Sequence, residues 1–193
     1  MHCQKIKELM NKMKLPTGVL PAIRKMKDFE NALESNHETI VILESRLSQL
    51  ESMVAYTRRA NKKVLIHFDL IQGLKADEYG MEYLIRDVKP DGILSTRGNT
   101  IALAKKHGLL AIQRLFLLDS SALEQNIRII KKYQPDGVEV MPGLIPEMIS
   151  YIYEETKLPI IAGGLITNEK QIIAAKQAGA VAVTTSAKEL WSL

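Results

Sequence analysis

The stretch from Ile160 to Trp191, IIAGGLITNEKQIIAAKQAGAVAVTTSAKELW, decides how the chain is read. A short apolar run, Ile160 to Ala162, ends in Gly163-Gly164. A helical segment follows from Asn168 to Gln177. A second apolar run, Ala180 to Val183, ends in Thr184-Thr185-Ser186, placed to cap a last helix through Lys188 and Trp191. In a closed barrel of alternating strands and helices, the last two strand–helix loops and the start of a short extra helix commonly form a phosphate site. Paired glycines let backbone N–H groups approach an anion, and hydroxyls with a helix N-terminus complete the cup. Gly163, Gly164, Thr185 and Ser186 are therefore the candidate phosphate ligands. The plainer alternative is a glycine turn and an N-cap, which need no ligand.

Working back from this stretch, the same alternation runs through the chain. Strands are expected at Pro16 to Ile23, Thr39 to Leu43, Lys63 to Phe68, Gly92 to Leu94, Leu109 to Arg114 and Val138 to Val140. Helices are expected from Asp28 to Ser35, from a Ser48 cap to Asn61, from Asp77 to Asp87, from Thr100 to Lys106, from a Ser121 cap to Tyr133, and from Ile145 to Glu155. The phrase KPDGIL at Lys89 to Leu94 returns as QPDGVE at Gln134 to Glu139, two strand–helix units later. Each copy closes a helix and opens a strand. Regular alternation requires a mostly parallel sheet with helical cover, and the count fits a compact (β/α)8 barrel of the TIM type. An open doubly wound sheet would need the first two strands to be misread, and no glycine-rich dinucleotide or P-loop signature is present. A leading amphipathic helix is expected over residues 2–14, with Ile6, Leu9, Met10 and Met13 on one side. It would suit the bottom of the barrel.

A chain of 193 residues holds one full core and is short for two domains, so it is expected to be a single domain. A formal net charge of +4 permits nucleic-acid binding without arguing for it. The single cysteine, Cys3, excludes an internal disulfide and a cysteine-built metal site. With no signal-like apolar segment and no run long enough to span a bilayer, the expected place is the cytoplasm, with no membrane partner.

In a parallel barrel the strand ends converge on one mouth. The residues there are Glu44, His67 or Asp69, Ser95, Arg114, Glu139, Gly163 and Thr185. Arg114 follows an apolar run and needs a partner, which is either a carboxylate such as Glu139 or Glu44, or a bound anion. Glu139 lies between two valines and is expected inside the barrel, where a carboxylate needs donors, so a role in binding hydroxyl groups follows. Asp69 either caps its loop or meets the ligand. The set lacks a compact metal signature, a Schiff-base lysine and a nucleophile elbow, so neither a metal nor a catalytic residue is assigned. The mouth is suited to holding a small polyol phosphate.

Basic residues cluster at helix C-terminal ends: Arg58, Arg59, Lys62, Lys105, Lys106, Lys131 and Lys132. Cations there interact well with exposed carbonyls. In a barrel they also form a positive crown on the bottom rim, able to track a phosphate backbone.

Six stretches taken together resemble the glycerol uptake operon antiterminator regulatory protein family of bacteria. They are IHFDLIQGL (Ile66 to Leu74), PDGILSTR (Pro90 to Arg97), IQRLFLLDS (Ile112 to Ser120), PDGVEVMPG (Pro135 to Gly143), IAGGLIT (Ile161 to Thr167) and AVTTSAKELW (Ala182 to Trp191). The first forty residues match least closely. The resemblance implies a compact (β/α)8 barrel that binds glycerol-3-phosphate as a regulatory ligand, uses no cofactor and has no catalytic turnover. It implies that the liganded protein binds leader mRNA of glycerol-metabolism operons and prevents premature termination of transcription. Carried over, Gly163, Gly164, Thr185 and Ser186 match the phosphate-holding stretches, and Asp69, Arg114 and Glu139 match the glycerol end. Ligand binding would select an RNA-competent form or homo-oligomer. A barrel enzyme acting on a small phosphorylated metabolite (an isomerase, lyase or synthase) and a phosphate sensor that binds another protein are the competing readings.

Overall fold

The computed structural model describes residues 15–193, so the expected leading helix over residues 2–14 lies outside the described residues. Parallel strands close a barrel in the order in which they occur. They are β1 (Gly18–Ile23), β2 (Thr39–Ile42), β3 (Lys63–His67), β4 (Gly92–Ser95), β5 (Leu110–Phe116), β6 (Gly137–Met141), β7 (Ile160–Gly163) and β8 (Ala180–Thr185), and β8 pairs with β1. Between them run α1 (Phe29–Glu34), α2 (Leu47–Arg59), α3 (Glu78–Tyr83), α4 (Gly98–Lys106), α5 (Ser120–Tyr133), α6 (Pro146–Thr156) and α7 (Glu169–Gln177). This is the (β/α)8 barrel that the alternation implied. A closed ring of parallel strands has no edge to protect, and every strand is covered by a helix outside and by its neighbours' side chains inside.

The period of two along each strand divides the core into two regions. Leu20, Ala22, Val41, Leu65, Leu94, Ile112, Ile161 and Ala182 point inward and fill the lower barrel, with Leu15 beneath them. Residues of the opposite parity, such as Ile40, Val64, Ile93, Val138 and Val183, pack under the helices. Continuing the inward parity toward the mouth brings His67, Arg114, Glu139 and Thr184 into the barrel above the apolar plug. Register confirms it: Arg114 lies beside Glu139, and Thr184 beside Gly163.

The repeated PDG phrase has a specific mechanical role. Helix α5 ends on Gln134 in the left-handed conformation, and the turn after α3 ends on Lys89 in the same way. The aspartate that follows then clamps the neighbouring strand from both sides of one residue. Asp91 N–H donates to the Val64 carbonyl (3.0 Å) while its Oδ2 accepts from Val64 N (2.8 Å). Asp136 does the same to Ala111, at 2.8 Å in both directions. Gly92 is required because a Cβ there would stand 2.6 Å from the Leu110 carbonyl oxygen.

Several local expectations are corrected. Asp119, not Ser121, caps α5, accepting from Ala122 N at 2.8 Å. Ser48 caps nothing: α2 starts at Leu47, because Ser45–Arg46 pairs with Ile71–Gln72 and keeps the backbone extended up to the helix. Strand β5 runs to Phe116, so Arg114 lies within its strand and not at its end. No α-helix follows β8; a three-residue 3-10 turn, Lys188–Leu190, begins after Ala187, and neither Thr185 nor Ser186 caps it. Among the described residues, no helix is long and apolar enough to cross a membrane.

Candidate ligand site at the barrel mouth

A buried polar relay crosses the top of the barrel from β3 to β8. Arg114 Nε donates to Glu139 Oε2 at 2.6 Å, and Thr184 Oγ1 donates to Glu139 Oε1 at 2.7 Å. Glu139 is fully buried and Arg114 nearly so. Both carboxylate oxygens therefore have charged or hydroxyl donors, which is the condition for keeping an ion pair in a dry interior. On its other side, Arg114 Nη1 lies 3.3 Å from His67 Nδ1. An arginine only donates, so His67 Nδ1 is the acceptor and the ring proton is assigned to Nε2, which faces Asp69 Oδ2 at 3.8 Å. The Nη2 of Arg114 has no partner among the described residues and is free to meet a ligand.

His67 is held neutral. Burial, and then the neighbouring Arg114 charge, push its pKa down from 6.5 to about 4, against the opposing pull of Asp69. Between those values the unfolded chain binds more protons than the folded one, so stability falls as the pH falls. The contribution is complete above about pH 6.5 and is lost as the pH drops through 4. Urea unfolding should show roughly 2 kcal/mol less stability at pH 5 than at pH 7.5 from this ring. His67→Gln should remove that part of the difference; an unchanged difference would place the acid sensitivity elsewhere.

Above the relay opens a cavity of about 580 Å³. Its wall includes Arg114, Glu139, Thr184, Gly164, Thr185 and Ser186, so the structure brings most of the candidate ligands together. Gly164 (φ +72°) and Leu165 (φ +61°) both take the left-handed conformation, turning the β7–α7 loop over the mouth. Thr185 ties this loop to the one after β8: its Oγ1 donates to the Ile166 carbonyl at 2.7 Å and accepts from Ala187 N at 3.1 Å. Its hydroxyl is thus engaged within the protein, while Ser186 is exposed.

Two candidates stand apart from this wall. Gly163 makes room for the relay, since a Cβ there would lie 2.5 Å from Thr184 Oγ1 and 2.8 Å from Glu139 Oε1. Asp69 accepts from Ser95 Oγ (2.8 Å), Thr96 N (2.7 Å) and Thr96 Oγ1 (2.9 Å), which fastens the loop after β3 to the end of β4. Ser95 has outward parity and serves Asp69, not the mouth. Sequence reasoning missed Arg24 and Thr184, both on the cavity wall. Counting by twos onward from Leu20 and Ala22, and onward from Ala182, would have found them. Glu44 sits outside the relay, paired with Arg24 Nε at 3.2 Å. Among the described residues, no group of three His, Cys, Asp or Glu side chains could hold a metal ion.

On the opposite rim, the basic crown divides into two kinds of residue. Arg58 donates to the Lys89 carbonyl, Lys62 to those of Ser35 and His37, and Lys105 to that of Gln134. These three close the carbonyl ends of neighbouring segments. Lys131 pairs with Glu155 at 2.8 Å. Lys106 is exposed with no acid or carbonyl partner among the described residues. Arg59 lies over the Tyr56 ring (5.5 Å) and Lys132 over the Tyr133 ring (4.9 Å), with both charges open to solvent.

Known proteins place this barrel. A crystal structure of the glycerol uptake operon antiterminator regulatory protein from Listeria monocytogenes is 46% identical, with a TM-score of 0.88 over 90% of this chain and 94% of that one. A glycerol uptake operon antiterminator-related protein from Thermotoga maritima is 27% identical, with a TM-score of 0.80 over 92% and 99% of the two chains. The uncharacterized protein YgcP of Escherichia coli is 29% identical over 91% of this chain and 92% of its own length. Residues 19–191, nearly the whole barrel, match the model of the glycerol-3-phosphate responsive antiterminators, and the chain belongs to that family.

Proposed function

We propose that this protein is a glycerol-3-phosphate-responsive antiterminator, which binds the leader mRNA of glycerol-metabolism operons when its mouth is occupied. The observation that carries the reading is the family match across residues 19–191, together with a mouth cavity that joins a left-handed glycine loop to a buried arginine. In this reading the phosphate lies against Gly164 and Ser186, where backbone N–H groups and a free hydroxyl are at hand. The glycerol end lies over the relay, with Arg114 Nη2 donating to its hydroxyls and Glu139 accepting from them. Thr184 and His67 hold those two side chains in place. Asp69 and Gly163 act behind the site, positioning its walls.

The mouth binds and releases its ligand without transforming it. Glu139 is neutralised by Arg114, and His67 is kept uncharged with its proton turned away from the cavity. Titration of a glycerol-operon leader RNA with and without glycerol-3-phosphate tests the proposal. RNA affinity should rise with the metabolite; equal affinity in both conditions would refute ligand-gated binding.

The RNA surface is assigned to the bottom rim, and there to cations whose charge is not already engaged. Lys106→Glu with Lys132→Glu should weaken leader RNA binding and spare metabolite binding. The salt slope should fall by roughly 0.7 for each single-strand phosphate that is no longer neutralised. Lys105 is a poor target, because a carboxylate there would face Asp136 and the Gln134 carbonyl. Filter binding at two salt concentrations checks this; an unchanged affinity and slope would move the RNA surface to another face.

A further inference from the structure

Helix α2 begins without a side-chain cap. Arg46 holds the N-cap position in an extended conformation, and the first turn carries no acid. The first N–H groups of a helix have no acceptor of their own, and the peptide dipoles leave positive charge at that end. Immediately before it stands Ser45, more than nine-tenths buried, whose Oγ has no hydrogen-bond partner. A buried hydroxyl without a partner is unusual and calls for a ligand group or ordered solvent. Ser45 lines a cavity of about 350 Å³ shared with Arg24, Glu44, Arg46, Gln49 and Gln72. The pairing of Ser45–Arg46 with Ile71–Gln72 fixes the backbone there. Of the polar side chains, all but Glu44 can donate, and Glu44 already faces Arg24 Nε. A wall with two guanidinium groups, two amides, a hydroxyl and a helix N-terminus repels cations and suits a tetrahedral oxyanion.

We propose that this cavity is a second phosphate-binding site, distinct from the mouth cavity. It holds one phosphate monoester or diester between Ser45 Oγ, the Arg46 guanidinium and the N–H groups of the first turn of α2. It stands whether or not the mouth takes glycerol-3-phosphate. Arg24 lines both cavities and places the second anion beside the first. The phosphate comes either from a free phosphorylated metabolite or from the backbone of a bound RNA, whose path then extends from the bottom rim to the mouth face.

Equilibrium dialysis of the full chain against orthophosphate tests the site, in the wild type and in a Gly164→Val background that weakens binding at the mouth. Orthophosphate should bind in both. Arg46→Gln should weaken it about tenfold or more and Ser45→Ala by a smaller factor, with unchanged circular dichroism and unchanged glycerol-3-phosphate binding at an intact mouth. Absence of binding by the wild type overturns the proposal. So does full affinity in both Arg46→Gln and Ser45→Ala, or loss that follows Gly164→Val alone. A short RNA with a 5′-hydroxyl, which carries only diesters, separates the sources. If Arg46→Gln also weakens this RNA, the occupant is an RNA phosphodiester; if it weakens orthophosphate alone, the occupant is a free phosphorylated metabolite.

Discussion

Gly164→Val should reduce glycerol-3-phosphate affinity by at least about a hundredfold while leaving a folded barrel. The residue sits at φ +72°, a region that a β-branched side chain occupies only under strain of roughly 1–3 kcal/mol. The nearest obstacle to a new Cβ is Met141 Cε at 2.8 Å, the far end of a flexible side chain, so the barrel itself accommodates the change. The loop cannot keep its shape so easily, and backbone donors aimed at a phosphate depend on that shape. Ser186→Ala removes one exposed hydroxyl and should cost only about 1–2 kcal/mol. Calorimetric titration of both variants, with circular dichroism as the folding control, decides the matter. Undiminished binding by a folded Gly164→Val protein would move the phosphate away from this loop and toward Arg114.

The second large effect is on stability. Glu139→Ala should destabilise the protein by about 3–5 kcal/mol, because it leaves the Arg114 charge buried without its partner. Arg114→Ala should cost a similar amount, stranding a fully buried carboxylate that keeps only the Thr184 hydroxyl. The paired replacement Arg114→Met with Glu139→Met should be less destabilised than either single change, since no charge remains to desolvate. Urea unfolding with a constant m-value would measure all three. A double variant destabilised more than either single change would show that a stranded charge is not what the single changes cost and that the relay is no coupled unit. Arg114→Ala should also lose ligand affinity beyond its stability cost, read by titration under conditions where it is fully folded.

These expectations rest on parity, and parity is only partly legible in the sequence. The inward position of Glu139 can be read from its two valine neighbours. Arg114 reads as a strand end because its charge breaks the apolar run; β5 carries on through Leu115 and Phe116, so the arginine lies inside the barrel. Asp69 resembles a mouth ligand by position, but its three hydrogen-bond partners, from Ser95 and Thr96, lie one strand away. Nothing local in the sequence shows that they meet. The expected capping helix after Ser186 fails for a similar reason. Thr185 is bound to Ile166 and to Ala187, which holds the chain extended where a cap would start a helix.

The sequence by itself determined the architecture. Alternating apolar runs and amphipathic segments, punctuated by PDG and glycine stops, admit few topologies, and parallel strands with helical crossovers close right-handedly. It also determined which stretch forms the wall of the mouth, because Gly163-Gly164 and the threonine pair end the last two strands. Only the tertiary structure decided which polar groups are free. Hydrogen bonds between strands distant in the chain engage Asp69, Thr185, Lys105 and Arg58, and they leave Arg114 Nη2, Ser186, Lys106 and Ser45 Oγ without partners among the described residues. A side chain's type is local, but whether its donors and acceptors are already satisfied depends on which neighbours barrel closure brings within about 3 Å.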